Sequence, residues 1–333
     1  MRYIFLAIAL CAPAPVLSED ITIQNLMRAE SDTMFRLTMK TNGTGVGEIA
    51  HEREVTSADK PQPVIRPNQD TLYSAAIIDL SEPVTVTLPE GDGRFQSVLV
   101  ISQDHYNFAY AEPGAYELTE DEVGTRFAML LFRTFIDAGD PEDAARAHAV
   151  QDGIRLEGGG SGPFEAPDWD LENLEAARKA ISDLAAVVGL DASTAFGRRD
   201  EVDPLGHLIG MAGWAGQPAT TASAFLGAAD KNDGETPYEV TLRDVPVDAF
   251  WSITVYDVDG YLAPNALGRN SYNQTSATPN DDGSYTIHFG GCDDGRINCI
   301  PITAGWNYTV RLYEPRQEIL DGSWTFPKPK PSA

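Results

Sequence analysis

The chain has 333 residues, 42% of them hydrophobic, and 50 acidic against 24 basic residues give a formal net charge of −26. That length and hydrophobic share support two or three domains with ordinary cores. A surface so negative repels nucleic acid and anionic membranes, and it suits solubility in a salty medium or neutral and cationic ligands.

The first eighteen residues read as a secretory leader. Arg2 supplies the positive start, residues 4–10 an apolar core, and Val16-Leu17-Ser18 a cleavage site after Ser18. The apolar run is too short to stay in a bilayer, and no later run is long and apolar enough for a membrane helix. The expected location is therefore periplasmic or secreted. Export leaves two cysteines, Cys292 and Cys299, closing a loop of eight residues, and an oxidising compartment favours a disulfide between them.

Residues 20–41 predict an amphipathic helix with Ile23, Leu26, Met27, Met34 and Leu37 on one face, stopped by Asn42-Gly43. Residues 72–78, 84–88, 95–102, 106–110 and 124–135 predict strands divided by Gly/Pro turns. Residues 141–151 and 170–188 have acidic starts and Ala-rich bodies, and predict helices; 158–163 is a Gly-rich loop of the flexible kind. Two short helices are expected at 204–214 and 218–229. From Tyr238 the period of two returns, with strands at 238–242, 250–256, 284–289 and 306–313. The fold class is mainly β with a helical insertion. The expected divisions are the leader (1–18), a helix with a β-sandwich (19–140), a helical linker (141–232) and a second sandwich (233–333).

Chemistry-bearing residues concentrate in Val64-Ile65-Arg66-Pro67-Asn68-Gln69-Asp70-Thr71-Leu72-Tyr73-Ser74. As a functional wall, Arg66 and Asn68 bind a ligand, while Asp70 and Tyr73 act as acid–base groups. A neighbouring guanidinium would depress the pKa of Asp70 and make it an acceptor. As a structural turn, Asn68 and Asp70 close their own backbone and Arg66 pins it with an ion pair. A second cluster is Asp104-His105-Tyr106-Asn107, where Asp104 and His105 are catalytic candidates and Asn107 a ligand contact; a surface loop is the bland reading. His51 with Glu52 or Glu54 adds to it only if the fold brings them together, and no metal-ligand spacing occurs, so neither metal nor cofactor is expected. His207, among apolar residues, reads as a hydrogen-bonded interdomain histidine. Trp251 and Tyr256 are five apart on a strand and so face opposite ways, one to the core and one to a groove. Trp306, Tyr308 and Tyr313 pose the same choice. Ser161 lacks a nucleophile-elbow context, and Asp257-Val258-Asp259-Gly260 is a hairpin turn rather than a calcium loop.

The run at 64–74, Val202-Asp203-Pro204-Leu205-Gly206-His207-Leu208-Ile209-Gly210, residues 250–260, Asn265, Arg311-Leu312-Tyr313 and Leu320-Asp321-Gly322-Ser323-Trp324 together resemble bacterial exported proteins that pair the domains of unknown function 1254 and 1214. The resemblance covers nearly the whole chain after the leader. It implies an immunoglobulin-like first sandwich, a helical linker and a jelly-roll-like second sandwich, and no settled reaction. Gln69 stands where the resemblance implies Arg. Two functions are compatible with these residues. One is an exported hydrolase or lyase acting on a neutral small molecule or saccharide in an interdomain groove. The other is a non-catalytic envelope module that binds a small molecule, glycan or protein there.

Overall fold

The strand-forming runs of the first half build one lobe and those of the last third another, in a computed structural model that describes residues 18–62, 64–137 and 140–332. The expected leader lies outside the described residues except for Ser18. The protein is mainly β, as the period-two patterning predicts.

The first lobe contains β1 (Ala50–His51), β2 (Thr71–Asp79), β3 (Val84–Leu88), β4 (Gln96–Ser102), β5 (Asn107–Tyr110), β6 (Gly114–Leu118), β7 (Phe127–Phe135) and β8 (Arg155–Gly158). A five-stranded antiparallel sheet in the order β1-β2-β7-β4-β5 faces a three-stranded sheet in the order β6-β3-β8. Ile78, Val100 and Leu130 meet Val86 and Leu118 between the sheets. The other face of the large sheet, with Ile77, Leu99 and Met129, is covered by Phe35 of helix α1 (Leu26–Asn42) and by Trp214. Cover on both faces explains why β4 is buried at every position and why its centre, Val98-Leu99-Val100-Ile101, is apolar without alternation.

The helical segments are α2 (Glu120–Val123), α3 (Pro141–Gly153), α4 (Leu171–Val188), α5 (Ala192–Ala195) and α6 (Pro204–Ile209), the last continued by a 3-10 turn over Gly210–Gly213. Asp140 and Asp170 cap α3 and α4 with their carboxylates. α3 packs Ala147 against Leu72 and Ile136, and β8 pairs with β3, so residues 141–158 belong to the first lobe rather than to a linker.

Three local expectations differ from the structure. The buried face of α1 is Leu26, Ala29, Glu30, Ser31, Asp32 and Phe35, while Ile23 and Leu37 are exposed. The polar members of that face are paired: Arg178 grips Glu30 through two hydrogen bonds, and Gln103 and Trp169 donate to Asp32. The Gly-rich run is tightly seated rather than loose. Gly160 donates to the Asp79 carbonyl at 2.8 Å, and a Cβ on Gly159 would stand 2.8 Å from Val84 Cγ2. Residues 222–227, expected as helix, are an edge strand, because the second lobe offers β15 as a six-residue partner and its ladder overrides the helix propensity of Ala and Leu.

That second lobe comprises β9 (Ala222–Gly227), β10 (Tyr238–Leu242), β11 (Trp251–Tyr256), β12 (Ser271–Asn273), β13 (Tyr285–Phe289), β14 (Cys299–Ile300), β15 (Asn307–Tyr313) and β16 (Lys330–Pro331), with the short helix α7 (Gln317–Leu320). Sheets β14-β13-β10-β16 and β12-β11-β15-β9 enclose Trp251, Ile253, Phe289, Trp306 and Val310. The Cys292–Cys299 disulfide closes the loop that brings β14 parallel to β13. Among the described residues no helix is long and apolar enough to cross a membrane.

Candidate functional site between the lobes

β11 is buried along its whole length although alternate residues are polar. Trp251, Ile253 and Val255 enter the sandwich core, whereas Ser252, Thr254 and Tyr256 point at the first lobe. The residues that cover them are those just before β2. Gln62 exchanges two hydrogen bonds with the backbone of Leu262, and the Arg66 amide donates to the Gly260 carbonyl at 2.7 Å. The Tyr256 hydroxyl donates to the Pro67 carbonyl at 2.8 Å, and Asn68 Nδ2 donates to the Tyr313 hydroxyl at 2.7 Å. Asn68 Oδ1 also accepts from the Asp70 amide at 2.7 Å, an Asx turn that aims the next side chain across the joint.

Asp70 ends up 1% exposed, with Oδ2 accepting from Ser252 at 2.5 Å and Oδ1 from Asn273 at 3.4 Å. Burial pushes its carboxyl above the ordinary value; Arg311, Ser252 and Asn273 pull it down but less strongly. This reverses the expected depression. Arg66 forms no ion pair with Asp70, and the nearby cation is Arg311. Desolvation of a carboxylate at the joint outweighs a guanidinium beyond ion-pair distance.

On another side of the same segment a cleft of about 960 Å³ opens. Arg66, Asn68, Tyr73 and Arg133 line it from the first lobe, Ala224, Leu226, Arg311 and Tyr313 from the second, and Leu190, Phe196 and Gln217 from the helical segment. Arg311 is held in place by acceptors: its guanidinium donates to the Arg66 carbonyl at 2.8 Å, the Tyr256 hydroxyl at 3.0 Å and Thr254 Oγ1 at 3.2 Å. Arg133, near the C-terminal end of β7 and 8% exposed, lies over the Tyr73 ring at 5.3 Å and leaves Nη1 without a partner. Arg66 Nε and Gln217 Oε1 are also buried and unpartnered. Burial pushes the Tyr73 hydroxyl up, but Arg133 and Arg311 together with Asn68 bring it below a phenol's usual value. Among the described residues Arg66, Arg133 and Arg311 have no carboxylate within 4.0 Å, and Glu52 is the carboxylate that lines the cleft.

The other sequence candidates lie elsewhere. Asp70 lines a separate cavity of about 130 Å³ with Gln69 and Asn273, not the cleft. Asp104 and Asn107 line a third hollow of about 240 Å³ beside Arg198 and Arg199. Asp104 is paired with Arg28 at 2.7 Å and Arg199 at 3.3 Å. His105 is fully buried, stacked on Trp214, and accepts from the Ala215 amide at 3.1 Å; burial and His207 push it down to about 3, so it is neutral at pH 7. Asn107 ties the Gly197 and Gly216 carbonyls through its amide groups. His207 stacks on Tyr106 and bonds the Asp104 carbonyl at 3.0 Å. His51 bonds Ser74 Oγ, at the end of the 64–74 run, and does not join the Asp104–Asn107 cluster. Asp70, Tyr73 and Asp104 thus line three different hollows, His105 is buried and lines none of them, and the four do not assemble into one acid–base site. Trp251, Trp306 and Tyr308 are core residues, Tyr256 and Tyr313 belong to the joint, and the Asp257 carboxylate closes a turn onto the Asp259 and Tyr261 amides. Among the described residues no group of three or more His, Cys, Asp and Glu is arranged to hold a metal ion.

Sequence reasoning missed Arg133 as a cleft residue, and it quoted Arg311 without a role. Both carry a signal: each is the lone charge in an otherwise apolar or neutral strand, Phe-Ala-Met-Leu-Leu-Phe-Arg-Thr-Phe in β7 and Asn-Tyr-Thr-Val-Arg-Leu-Tyr in β15.

Solved structures similar to this chain include the following two. The VPA0106 protein of Vibrio parahaemolyticus matches with a TM-score of 0.70 at 19% identity, over 93% of this chain and 97% of its own. An uncharacterised protein of Burkholderia cenocepacia matches with a TM-score of 0.51 at 16% identity, over 92% and 87%. At these identities the likeness is one of fold. No curated protein matches the chain. Residues 46–119 match the family described as protein of unknown function (DUF1254), and residues 220–317 the family described as protein of unknown function (DUF1214). The Arg66–Tyr73 segment falls in the first match and Arg311 and Tyr313 in the second, so the joint lies where the two regions meet. The chain belongs to the proteins that carry these two domains of unknown function in that order.

Proposed function

We propose that the protein is an exported module that binds a small molecule in the interlobe cleft without transforming it. The observation that carries this is the convergence of Arg66, Arg133 and Arg311 on one cleft with no ion-pair partner. Hydrogen-bond donors dominate its polar lining, as binding requires, while Asp70, Asp104 and His105 are engaged elsewhere. The disulfide supports export, because such bonds persist in oxidising compartments.

A thermal-shift screen against a metabolite library tests the reading, with Ala224→Trp as the blocked control. Ala224 is exposed, lines the cleft and pairs with Arg311 across the β9–β15 ladder, so an indole there fills the space beside that guanidinium. Compounds that raise the melting temperature of the native protein and not of Ala224→Trp support the proposal. A screen without hits, or hits equal in both proteins, overturns it.

One observation favours a second reading, a lyase. A phenol held below its usual value beside two guanidiniums, as Tyr73 is, suits proton abstraction from a carbon whose substituent the arginines neutralise. NMR of each hit after long incubation separates the two, since turnover abolished by Tyr73→Phe would replace the binding reading.

A further inference from the structure

The chemistry of the cleft narrows its ligand, an inference that rests on the binding reading above. Acidic residues outnumber basic ones 50 to 24, so an arginine here has carboxylates in excess to choose from. Several buried or half-buried arginines do choose one: Arg94, Arg126 and Arg178 each sit within 3 Å of a carboxylate. Arg66, Arg133 and Arg311 do not, although Arg133 is more than nine-tenths buried and its Nη1 and the Nε of Arg66 have no acceptor. An unpaired buried donor on a cation costs free energy unless something occupies it. Asp70, the buried carboxylate that offsets Arg311 from beyond ion-pair distance, lines a separate cavity and is not among the residues of the cleft.

The remaining wall is of opposite character. Leu190, Phe196 and Leu226 face the same space, with Val64 at the edge; Leu226 is 67% and Val64 57% exposed. Exposed aliphatic side chains beside a polar floor mark a surface that an apolar ligand body would cover.

We propose that the ligand is an amphipathic organic anion, with an oxyanion head on Arg66, Arg133 and Arg311 and an apolar body against Leu190, Phe196 and Leu226. Carboxylate, phosphate and sulfate share the head-group chemistry, since each offers two or more oxygens to a guanidinium fork. No covalent step is involved.

Isothermal titration with decanoate, decyl phosphate and decyl sulfate, each below its micelle-forming concentration, tests this against decanol and acetate. At least one amphiphilic anion is expected to bind tenfold or more tightly than both decanol and acetate, and which one it is identifies the head group. Arg133→Gln is expected to weaken it at least tenfold, Leu226→Asp to weaken it without restoring acetate binding, and Ala224→Trp to abolish it. Equal affinity for decanol overturns the anionic head, and equal affinity for acetate the apolar body; in both cases the cleft reading survives. If no probe binds while the metabolite screen yields a hit blocked by Ala224→Trp, the ligand class alone is wrong. If neither experiment gives binding, both proposals fall.

Discussion

The hydroxyl of Ser252 donates a 2.5 Å hydrogen bond to the carboxylate of Asp70, joining residues 182 apart in the chain and in different lobes. A strand of the second sandwich and the turn before β2 are thereby locked through groups that both give up solvent. Asp70→Ala leaves Ser252 and Asn273 without an acceptor and is expected to cost about 1–3 kcal/mol of stability. Asp70→Asn keeps an acceptor oxygen and is expected to cost less than half as much, and to leave cleft binding unchanged. Urea midpoints of the two variants check this; equal losses would mean that the charge facing Arg311, not the hydrogen bond, holds the joint.

The same residue sets a pH dependence. Its pKa is raised by burial, so the native state holds a proton more tightly than the unfolded chain does. Asp70 therefore contributes a loss of stability as pH rises from the ordinary carboxyl value through the raised native one. Asp70→Asn is expected to flatten that part of the profile. Urea midpoints between pH 4 and pH 7, native against variant, measure it, and parallel profiles would contradict the assignment.

Asp79 behaves oppositely. Its hydrogen bonds from Arg126 at 2.8 and 2.9 Å hold its pKa at about 2, against some desolvation, with the Ser81 amide helping. The stabilisation is present above the ordinary carboxyl value and is lost as pH falls from about 4 to about 2. The native protein is expected to exceed Asp79→Asn in melting temperature at pH 6 and to lose that margin as pH falls through this window.

Removing a cleft arginine should weaken ligand binding without weakening the fold. Arg133 has no carboxylate to lose, so Arg133→Gln is expected to change stability by less than about 0.5 kcal/mol in the absence of ligand, or to raise it, as residues kept for function often allow. A destabilisation of about 3–5 kcal/mol, the size seen when a buried ion pair is broken, would recast Arg133 as a structural residue.

The disulfide closes a loop of eight residues from Cys292 to Cys299 and supports β14 beside β13. Chain-entropy arguments assign it about 2.5 kcal/mol. Cys292→Ser with Cys299→Ser is expected to lower the melting temperature by several degrees, and reductant to do the same to the native protein while leaving the double variant unaffected.

Much of the architecture was legible because its signals are local. Alternation in residues 251–256 sorts Trp251 from Tyr256 through the pleat alone, and Asp140 and Asp170 announce α3 and α4 because a cap bonds to amides two or three residues on. Where a distant partner intervenes, local reading fails. Ala222–Gly227 is a strand only because β15 needs an edge neighbour, and Glu30 and Asp32 face inward only because Arg178, Gln103 and Trp169 are there to meet them.

By itself the sequence determined the two β-rich regions, the α4 helix, the spacing of the cysteines and the polar turn at 64–74, since each depends on neighbours a few bonds away. Only the tertiary structure decided that Asp70 turns into the joint while Arg66, Arg133 and Arg311 open into one cleft. Three guanidiniums from a turn, a first-lobe strand and a second-lobe strand meet because the lobes dock over β11. That docking is a sum of desolvation, packing and hydrogen bonds across residues hundreds of positions apart, and no local pattern encodes it.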